Sequence, residues 1–252
     1  SGAAGDVAFT NVKNLVEAQM NNGASNLTVT YNAAVVAGTT DVQTVNVSNL
    51  SGGTLTANGA ETVTINGSLV ASTLAGVASN AITNLTATGD QDLTITAATT
   101  FAVTTTTATI ASTVDGSAMT GKLSVLIGDT STVKVTGGSA ADTINMAGTL
   151  ETNDVIDGGD GVDTLTMTGA TLGTQFTNVT NIETVAFNEV ETAQALNVAK
   201  LSAGVTKVIL DVDDGAAEGG TLLANTVTGI AGQTVVIRHS ESDSSDGTDD
   251  DG

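Results

Sequence analysis

The chain contains no cysteine, no tryptophan and no proline, and only 2% of its 252 residues are aromatic. Without cysteine it can form no disulfide, no zinc–thiolate site and no thiol-based active site. It also lacks any run of about eighteen apolar residues, so the sequence predicts no membrane-spanning helix. Thiol enzymes and helical membrane proteins are therefore excluded on composition.

Basic residues are scarce as well. Six Lys and Arg stand against 27 Asp and Glu, which gives a formal charge of −21. Proteins bind nucleic acids and anionic membranes mainly through cationic side chains, so the sequence predicts neither as a partner. An acidic surface of this kind suits a protein that stays soluble by self-repulsion until divalent cations neutralise it.

The shortage of aromatic side chains also constrains the core. A core without them must be built from Val, Ile, Leu and Ala in thin layers. Thin layers are typical of solenoids, and the abundant Thr and Val favour strands. We therefore predict an all-β fold, a parallel β-helix or β-roll solenoid with coils of roughly 20 residues.

One N-terminal segment has helical rather than strand spacing. Its apolar stripe consists of Phe9, Val12, Leu15, Val16 and Met20. Thr10 can cap the start of a helix there, and Asn22 followed by Gly23 supplies a stop. We predict that residues 1–24 form an N-terminal segment whose short helix caps the open end of the solenoid.

Short strands separated by Gly, Asn and Asp turns are predicted from residue 25 onward. Thr or Asn alternates there with Val, Ile or Leu, which places the apolar set inside. A Thr/Ala-rich solenoid is expected over 25–136 and a calcium-binding solenoid over 137–239, while the acidic segment 240–252 has no apolar residue and should be disordered. The predicted strands are 27–31, 42–47, 62–65, 82–87, 93–96, 101–110, 123–127, 132–136, 182–187, 205–212 and 234–238.

The stretch 137–166 carries the most specific signal. Residues 158–166 fit the glycine-rich calcium nonapeptide G-G-x-G-x-D-x-U-x, where U is a large apolar residue, at every specified position. Residues 137–145 fit except for Ala140, which replaces the third glycine, while 149–157 keeps only Asp154 and Ile156. The alternative interpretation is a run of ordinary Gly/Asp turns in a β-rich protein.

Each residue type in this pattern suits a calcium site. Calcium takes six to eight oxygen ligands. The glycines allow tight turns whose carbonyls can point at one centre. The predicted ligands are the carbonyls of Gly138, Ala140, Gly159 and Gly161 with the carboxylates of Asp142 and Asp163.

Two sites of unequal quality are expected from the spacing. Two uninterrupted units would span about 18 residues, but Gly137 and Gly158 are 21 apart, with Met146-Ala147-Gly148 as an apparent insertion. We predict one well-formed site at Asp142 and Asp163, joined by Asp160. A weaker site is predicted around Asp154 and Asp157.

These motifs resemble those of a known family of proteins. Residues 137–145 and 153–166, followed about fifteen residues later by Asn181-Ile-Glu-Thr-Val-Ala-Phe187, resemble the calcium-binding RTX type of surface-layer (S-layer) protein of Gram-negative bacteria. The resemblance implies a secreted, calcium-dependent β-solenoid that self-assembles into a lattice on the extracellular cell surface. It also implies type I secretion through a signal on the parent polypeptide, and anchoring to a cell-surface polysaccharide through parts outside this chain.

An enzyme and an adhesin are the two other functions that a β-solenoid could have. Polysaccharide-cleaving β-helices need sugar-stacking aromatics, and this chain has one tyrosine and one histidine, so we predict no enzyme. An RTX-type adhesin module that binds a surface or glycan is the alternative. Thr-x-Thr pairs occur at Thr28, Thr62, Thr94 and Thr164, and the spacings between these four are too irregular to place one on each coil. Asp211, Asp213 and Asp214 form a possible further cation site, although a solvated turn is the simpler interpretation.

Overall fold

The computed structural model describes residues 5–99, 101, 110–128, 131–168, 174–188, 195–213 and 226–240. These residues form strands β1 (Val7–Val12), β2 (Ala18–Gly23), β3 (Leu27–Tyr31), β4 (Val42–Leu50), β5 (Thr54–Asn58), β6 (Thr62–Gly67), β7 (Ser72–Leu74), β8 (Gly76–Ala78), β9 (Asn84–Gly89), β10 (Leu93–Thr99), β11 (Ser112–Met119), β12 (Leu123–Ile127), β13 (Val133–Thr136), β14 (Thr143–Asn145), β15 (Val155–Asp157), β16 (Thr164–Thr168), β17 (Val179–Thr180), β18 (Thr184–Asn188), β19 (Ala195–Asn197), β20 (Lys207–Asp213), β21 (Thr226–Thr228) and β22 (Thr234–Ser240). Two single-turn 3₁₀ helices occupy Thr174–Phe176 and Val198–Lys200.

The strands form parallel sheets that run along the molecule. Sheet A has the order β1-β3-β5-β8, and sheet B has the order β17-β15-β13-β11-β9-β6-β4-β2. Sheet C has the order β22-β20-β18-β16-β14-β12-β10-β7, and β19 pairs with β21 in sheet D. Successive strands lie on different sheets and each pairs with a strand from the next coil. The predicted all-β parallel solenoid is therefore confirmed.

Strand register fixes the length of a coil. Ile144 pairs with Leu165, 21 residues later, and Leu165 pairs with Val185, 20 residues later. The chain visits sheets A, B and C in turn through β5, β6 and β7, whereas from β11 to β18 it alternates between sheets B and C. Sheets B and C both continue across residues 136 and 137, through the β13–β15 and β12–β14 pairs.

The core is thin and built from aliphatic columns. Along sheet C the inward positions stack Val125, Ile144, Leu165, Val185 and Val208, all of them buried. The single aromatic contact found within the described ranges joins Phe176 and Phe187, whose rings pack edge to face with centroids 6.5 Å apart. This agrees with a core that has few large side chains to interlock.

The predicted N-terminal helix is wrong. Residues 7–12 and 18–23 are strands that pair with β3 and β4 and complete the first coil. Asn11 and Asn22 have left-handed backbone angles (φ 54° and 60°) that an α-helix does not allow. Helical spacing was misleading because Phe9 stands over Val29 and Met20 over Val47 in neighbouring coils. Pairing with distant strands thus overrode the local pattern.

The remaining strand predictions are largely confirmed. Strands 27–31, 93–96, 123–127 and 234–238 lie within β3, β10, β12 and β22, and the others in the described ranges overlap an observed strand by at least four residues. Outside the glycine motifs and the N-terminal segment, strands β5, β7, β8, β11, β17, β19 and β21 were not predicted. The predicted strand 101–110 lies mostly outside the described residues, as does the acidic segment from 241 onward. None of the helices in the described ranges is long and apolar enough to cross a membrane.

Candidate metal site

The glycine motifs form two turns stacked at one corner of the solenoid. The lower turn, residues 137–142, joins β13 to β14, and the upper turn, residues 158–163, joins β15 to β16. Both turns lead from sheet B to sheet C, and the pairing of Ile144 with Leu165 sets one directly over the other. The structure therefore brings together six predicted ligand residues on one edge: Gly138, Ala140, Asp142, Gly159, Gly161 and Asp163.

The two turns are in close backbone contact. The Asp160 N–H donates to the Gly138 carbonyl at 3.0 Å. A Cβ on Gly159 would overlap that same carbonyl, and a Cβ on Gly161 would overlap the carbonyl of Ala140. Both glycines also have left-handed φ angles, 89° and 133°, which residues with a Cβ rarely adopt. Glycine is thus required at both upper positions for the coils to stack.

Asp142, in the lower turn, is buried but satisfied. Its Oδ1 accepts the Leu123 N–H at 2.8 Å, and its Oδ2 accepts the Gly138 N–H at 2.5 Å. Burial raises the pKa of the Asp142 carboxyl, and the two N–H donors act in the opposite direction. Because both oxygens already have partners from the protein, this carboxylate does not need a cation.

Asp163 is the equivalent residue in the upper turn, and only one of its two carboxylate oxygens has a hydrogen-bond partner among the described residues. Its Oδ1 accepts the Asp142 N–H at 2.7 Å, but its buried Oδ2 accepts no hydrogen bond within the described part of the chain. The residue is only 1% exposed. Burial raises the pKa of Asp163 to about 6, and the nearby carboxylates of Asp142, Glu183 and Asp157 add to the increase. An ionised buried oxygen without a partner is costly and needs an explanation.

The difference arises from the backbone of the two turns. In the lower turn the second glycine, Gly138, directs its N–H at Asp142 Oδ2. In the upper turn the matching residue, Gly159, directs its N–H at Asp157 Oδ1 instead, at 3.1 Å. Gly159 is left-handed and Gly138 is not. Asp163 Oδ2 thereby loses the donor that its counterpart keeps.

The unpartnered oxygen of Asp163 lies close to other oxygen atoms that could bind a hard cation. A Cβ on Gly158 would lie 2.7 Å from Asp163 Oδ2 and would overlap the carbonyl oxygen of Asn181, so the two oxygens face the same small space. Glu183, whose Oε2 accepts the Asp163 N–H at 2.7 Å, lies in the same coil as Asn181. All of these candidate ligand atoms are oxygens, which are the ligands that calcium prefers. Asn181 and Glu183 were not predicted as ligands, although both lie in the strand motif on which the resemblance rests.

The predicted weaker site is not assembled. Asp154 precedes the three-residue strand β15 and Asp157 ends it, so the two carboxylates lie at opposite ends of this strand. Asp154 accepts the N–H groups of Val133 and Glu151 at 2.9 and 2.8 Å. Asp157 belongs to the corner of the upper turn, where its Oδ1 also accepts from the Asn181 amide at 2.8 Å. Sequence spacing alone could not show that a strand separates them.

Acidic residues before a strand have a recurring structural role elsewhere in the solenoid. Glu61 Oε2 accepts the Asp41 N–H at 2.9 Å, and Asp92 Oδ1 accepts the Lys122 N–H at 2.9 Å. In each case the carboxylate receives a backbone N–H from a neighbouring coil. This role accounts for Asp142 and Asp154 without a metal. Among the described residues, buried carboxylate oxygens without a hydrogen bond occur at Asp163 Oδ2, Asp41 Oδ2 and Asp211 Oδ1, and of these only Asp163 lies in the glycine turns.

Side chains alone would not complete a metal site. Over the described ranges, no three Asp, Glu, His or Cys side chains converge on one point, so a cation here would need backbone carbonyls for most of its ligands. Asp160 is exposed at the tip of the upper turn. The further cation site considered at Asp211, Asp213 and Asp214 cannot be described in full, because Asp214 lies outside the described residues. Asp211 pairs in register with Arg238 of β22.

No family model, no curated protein and no solved structure matches this chain. The geometry of the two turns is therefore the main basis for a functional proposal.

Proposed function

We propose that the protein is a structural, non-enzymatic component of a cell surface, a secreted β-solenoid of the S-layer type that self-assembles in a calcium-dependent way. One observation carries the calcium part of this proposal: Asp163 Oδ2 is buried, ionisable and unpartnered, beside a backbone carbonyl in a glycine turn that fits the calcium nonapeptide. The resemblance in residues 137–187 supports the surface-layer assignment.

The proposed ligands come from two successive coils. Asp163 Oδ2 and the Asn181 carbonyl form the centre of the site, and Asp142, Glu183 and Asp157 surround it with negative charge. Calcium would supply the positive charge that offsets the mutual repulsion of these carboxylates. Because the ligands lie on different coils, binding would hold the coils together and couple ion binding to folding.

The acidity of the chain agrees with such a role. A net charge of −21 opposes self-association unless cations are present. Calcium is plentiful outside cells, so ordering of this corner and assembly would follow export. Anchoring to a surface polysaccharide is proposed for parts of the protein outside this chain.

The alternative function is an adhesin module, and one feature of sheet C favours it. Outward hydroxyl side chains stack at one position on four successive coils, at Thr94, Ser124, Thr143 and Thr164, and the next residue in register, Thr184, is buried. The strand spacing of about 4.8 Å makes this a regular polar column that an extended glycan could follow. The Thr-x-Thr pairs do not extend the column into a wide flat array, because they are distributed over sheets A, B and C.

Calorimetric titration of chelator-treated protein with calcium tests the proposal. We expect saturable binding, a higher Tm, and an ordered two-dimensional lattice by electron microscopy after calcium is added. Asp163→Ala should abolish these changes, while Asp115→Ala, at an exposed position on sheet B, should leave them intact. A lattice would favour the S-layer role, and glycan binding by a monomer would favour the adhesin. Absence of calcium binding by the wild-type protein would refute the metal site.

A further inference from the structure

Three carboxylates stand in one row at the corner of the glycine turns. Asp142, Asp163 and Glu183 each immediately precede a strand of sheet C, and the first residues of those three strands pair in register. Each carboxylate accepts the backbone N–H of a residue one coil below, as Asp142 does from Leu123 at 2.8 Å, Asp163 from Asp142 at 2.7 Å and Glu183 from Asp163 at 2.7 Å. Successive coils lie about 4.8 Å apart, so these side chains form a continuous carboxylate ladder.

The ladder continues a column that is apolar in the earlier coils. Below Asp142 the same register position is held by Leu123 and then by Leu93, both of which are buried. Asp142 and Asp163 are each 1% exposed, and Glu183 is half-buried. Carboxylates stacked in such surroundings repel one another strongly, because little water screens their charges. The ladder therefore needs positive charge close to it.

The two ends of the ladder differ in the charges that act on them. Burial raises the pKa of Asp142, and the ammonium group of Lys122, in the turn below, opposes that increase. Burial also raises the pKa of Asp163, to about 6, and there three neighbouring carboxylates add to the increase. The lower end of the ladder thus has a protein cation near it, whereas negative charge dominates the upper end.

The coil of Glu183 also presents a backbone oxygen at the upper end. Asn181 has a left-handed backbone (φ 51°), and its side-chain amide donates to Asp157 Oδ1 at 2.8 Å. These two features hold the Asn181 carbonyl oxygen against Gly158, in the space that Asp163 Oδ2 also faces. Oxygen atoms from both coils are therefore in place before an ion arrives.

We propose that Glu183 is a calcium ligand, and that the ion lies between the upper turn and the coil of Glu183 rather than between the two glycine turns. One carboxylate oxygen of Glu183 holds the Asp163 N–H, which leaves the other oxygen for the ion. Asp163 Oδ2 and the Asn181 carbonyl are the other protein ligands, and water fills the remaining positions around calcium. This inference rests on the proposed calcium site and names a ligand that lies outside the nonapeptide.

Replacing Glu183 by Gln distinguishes a ligand from a residue that only braces the turn. The amide oxygen can still accept the Asp163 N–H, so the Tm in chelator should not fall below that of the wild-type protein. Calorimetric titration should nevertheless give a Kd for calcium at least about tenfold higher, because affinity depends on the charge of the ligands. Glu183→Asp keeps that charge, and Asp makes the same backbone hydrogen bond in the two coils below. Its Kd should therefore stay within about threefold of the wild-type value.

Two further variants remove a charge elsewhere on the same corner. Asp92→Asn keeps an acceptor for the Lys122 N–H and lies three coils below Asp163. That separation is about 14 Å, which exceeds the Debye length of about 8 Å, so its Kd should stay within about twofold of the wild-type value. Asp142→Asn removes the charge between the two glycine turns and should raise the Kd by less than about threefold, because the ion is not bound there.

The order of these effects decides the proposal. If Asp142→Asn weakened calcium binding more than Glu183→Gln, the ion would lie between the glycine turns and the proposal would be overturned. An unchanged Kd in Glu183→Gln would also overturn it, and would leave the calcium site at Asp163 standing. Absence of binding by the wild-type protein would refute the site and the role of Glu183 together.

Discussion

Replacing Asp163 by Asn should change stability in opposite directions with and without calcium. The substitution keeps an oxygen that can accept the Asp142 N–H, and it replaces the unpartnered Oδ2 by an amide that can donate to the nearby Asn181 carbonyl. In chelator the variant should therefore be more stable than the wild-type protein. In calcium the wild-type protein should be the more stable of the two, because the variant lacks the charged ligand.

The expected gain in the free energy of unfolding follows from the raised pKa of the Asp163 carboxyl. Its pKa rises from 3.8 to about 6, which corresponds to about 3 kcal/mol above pH 6. Asp160 and Val162 are exposed in the same turn, so solvent screens part of this cost and we expect about 1 to 2 kcal/mol. That gain should raise the Tm in chelator by roughly 2 to 8 °C. Calcium at about 100 times its dissociation constant should stabilise the wild-type protein by about 2.7 kcal/mol.

Asp142→Asn is the matched control, one coil away. Both oxygens of Asp142 accept a backbone N–H, so an amide in either orientation leaves one N–H without an acceptor. This should cost about 1 to 3 kcal/mol with or without calcium. Thermal melts of the three proteins in chelator and in calcium would measure these effects. If Asp163→Asn lowered the Tm in chelator as Asp142→Asn does, the unpartnered state of Asp163 Oδ2 would be refuted.

Three further predictions concern packing and pH. Gly161→Ala should destabilise the protein by about 2 kcal/mol or more, because φ is 133° there and the new Cβ overlaps the Ala140 carbonyl. Gly148→Ala is the control. Nothing lies within reach of a Cβ at that position, so the unfolding free energy should change by less than about 0.5 kcal/mol. Phe187→Ala, which empties a buried ring position, should cost about 3 to 5 kcal/mol in denaturant unfolding; a loss below about 1 kcal/mol would contradict the packing. In chelator, stability should fall as pH rises from about 4 to 6, because the folded carboxyl of Asp163 holds its proton after the unfolded one has lost it. Melts at intervals of pH should show a smaller fall in Asp163→Asn.

The fold class could be predicted because it depends on composition and on alternation within each strand. Val and Thr alternation specifies a strand with one buried face wherever its neighbours come from. The N-terminal helix failed for the opposite reason. At Phe9 and Met20 the inward positions are set by the coils above them, and a spacing of three and four residues fits both a helix and two strands joined by a corner.

The site was predictable as a location but not as a set of ligands. The motif correctly placed Asp142 and Asp163 on adjacent turns at one corner. The 21-residue spacing is close to the ordinary coil length here, and Met146, assigned to an insertion, is buried in the core. Whether a carboxylate is free or bonded depends on the direction of single N–H groups, such as that of Gly159, which the sequence pattern does not encode.

The backbone contacts of the acidic residues also bear on how far a cation could control the fold. Glu61, Asp92, Asp142 and Asp154 each accept an N–H from a neighbouring coil, so the coils that they join are held together without an ion. At the corner of Asp163, a buried carboxylate oxygen that lacks a hydrogen bond lies near several other carboxylates. Calcium would therefore act on the junction between the upper turn and the coil of Glu183, and the coils before it would keep their structure in chelator.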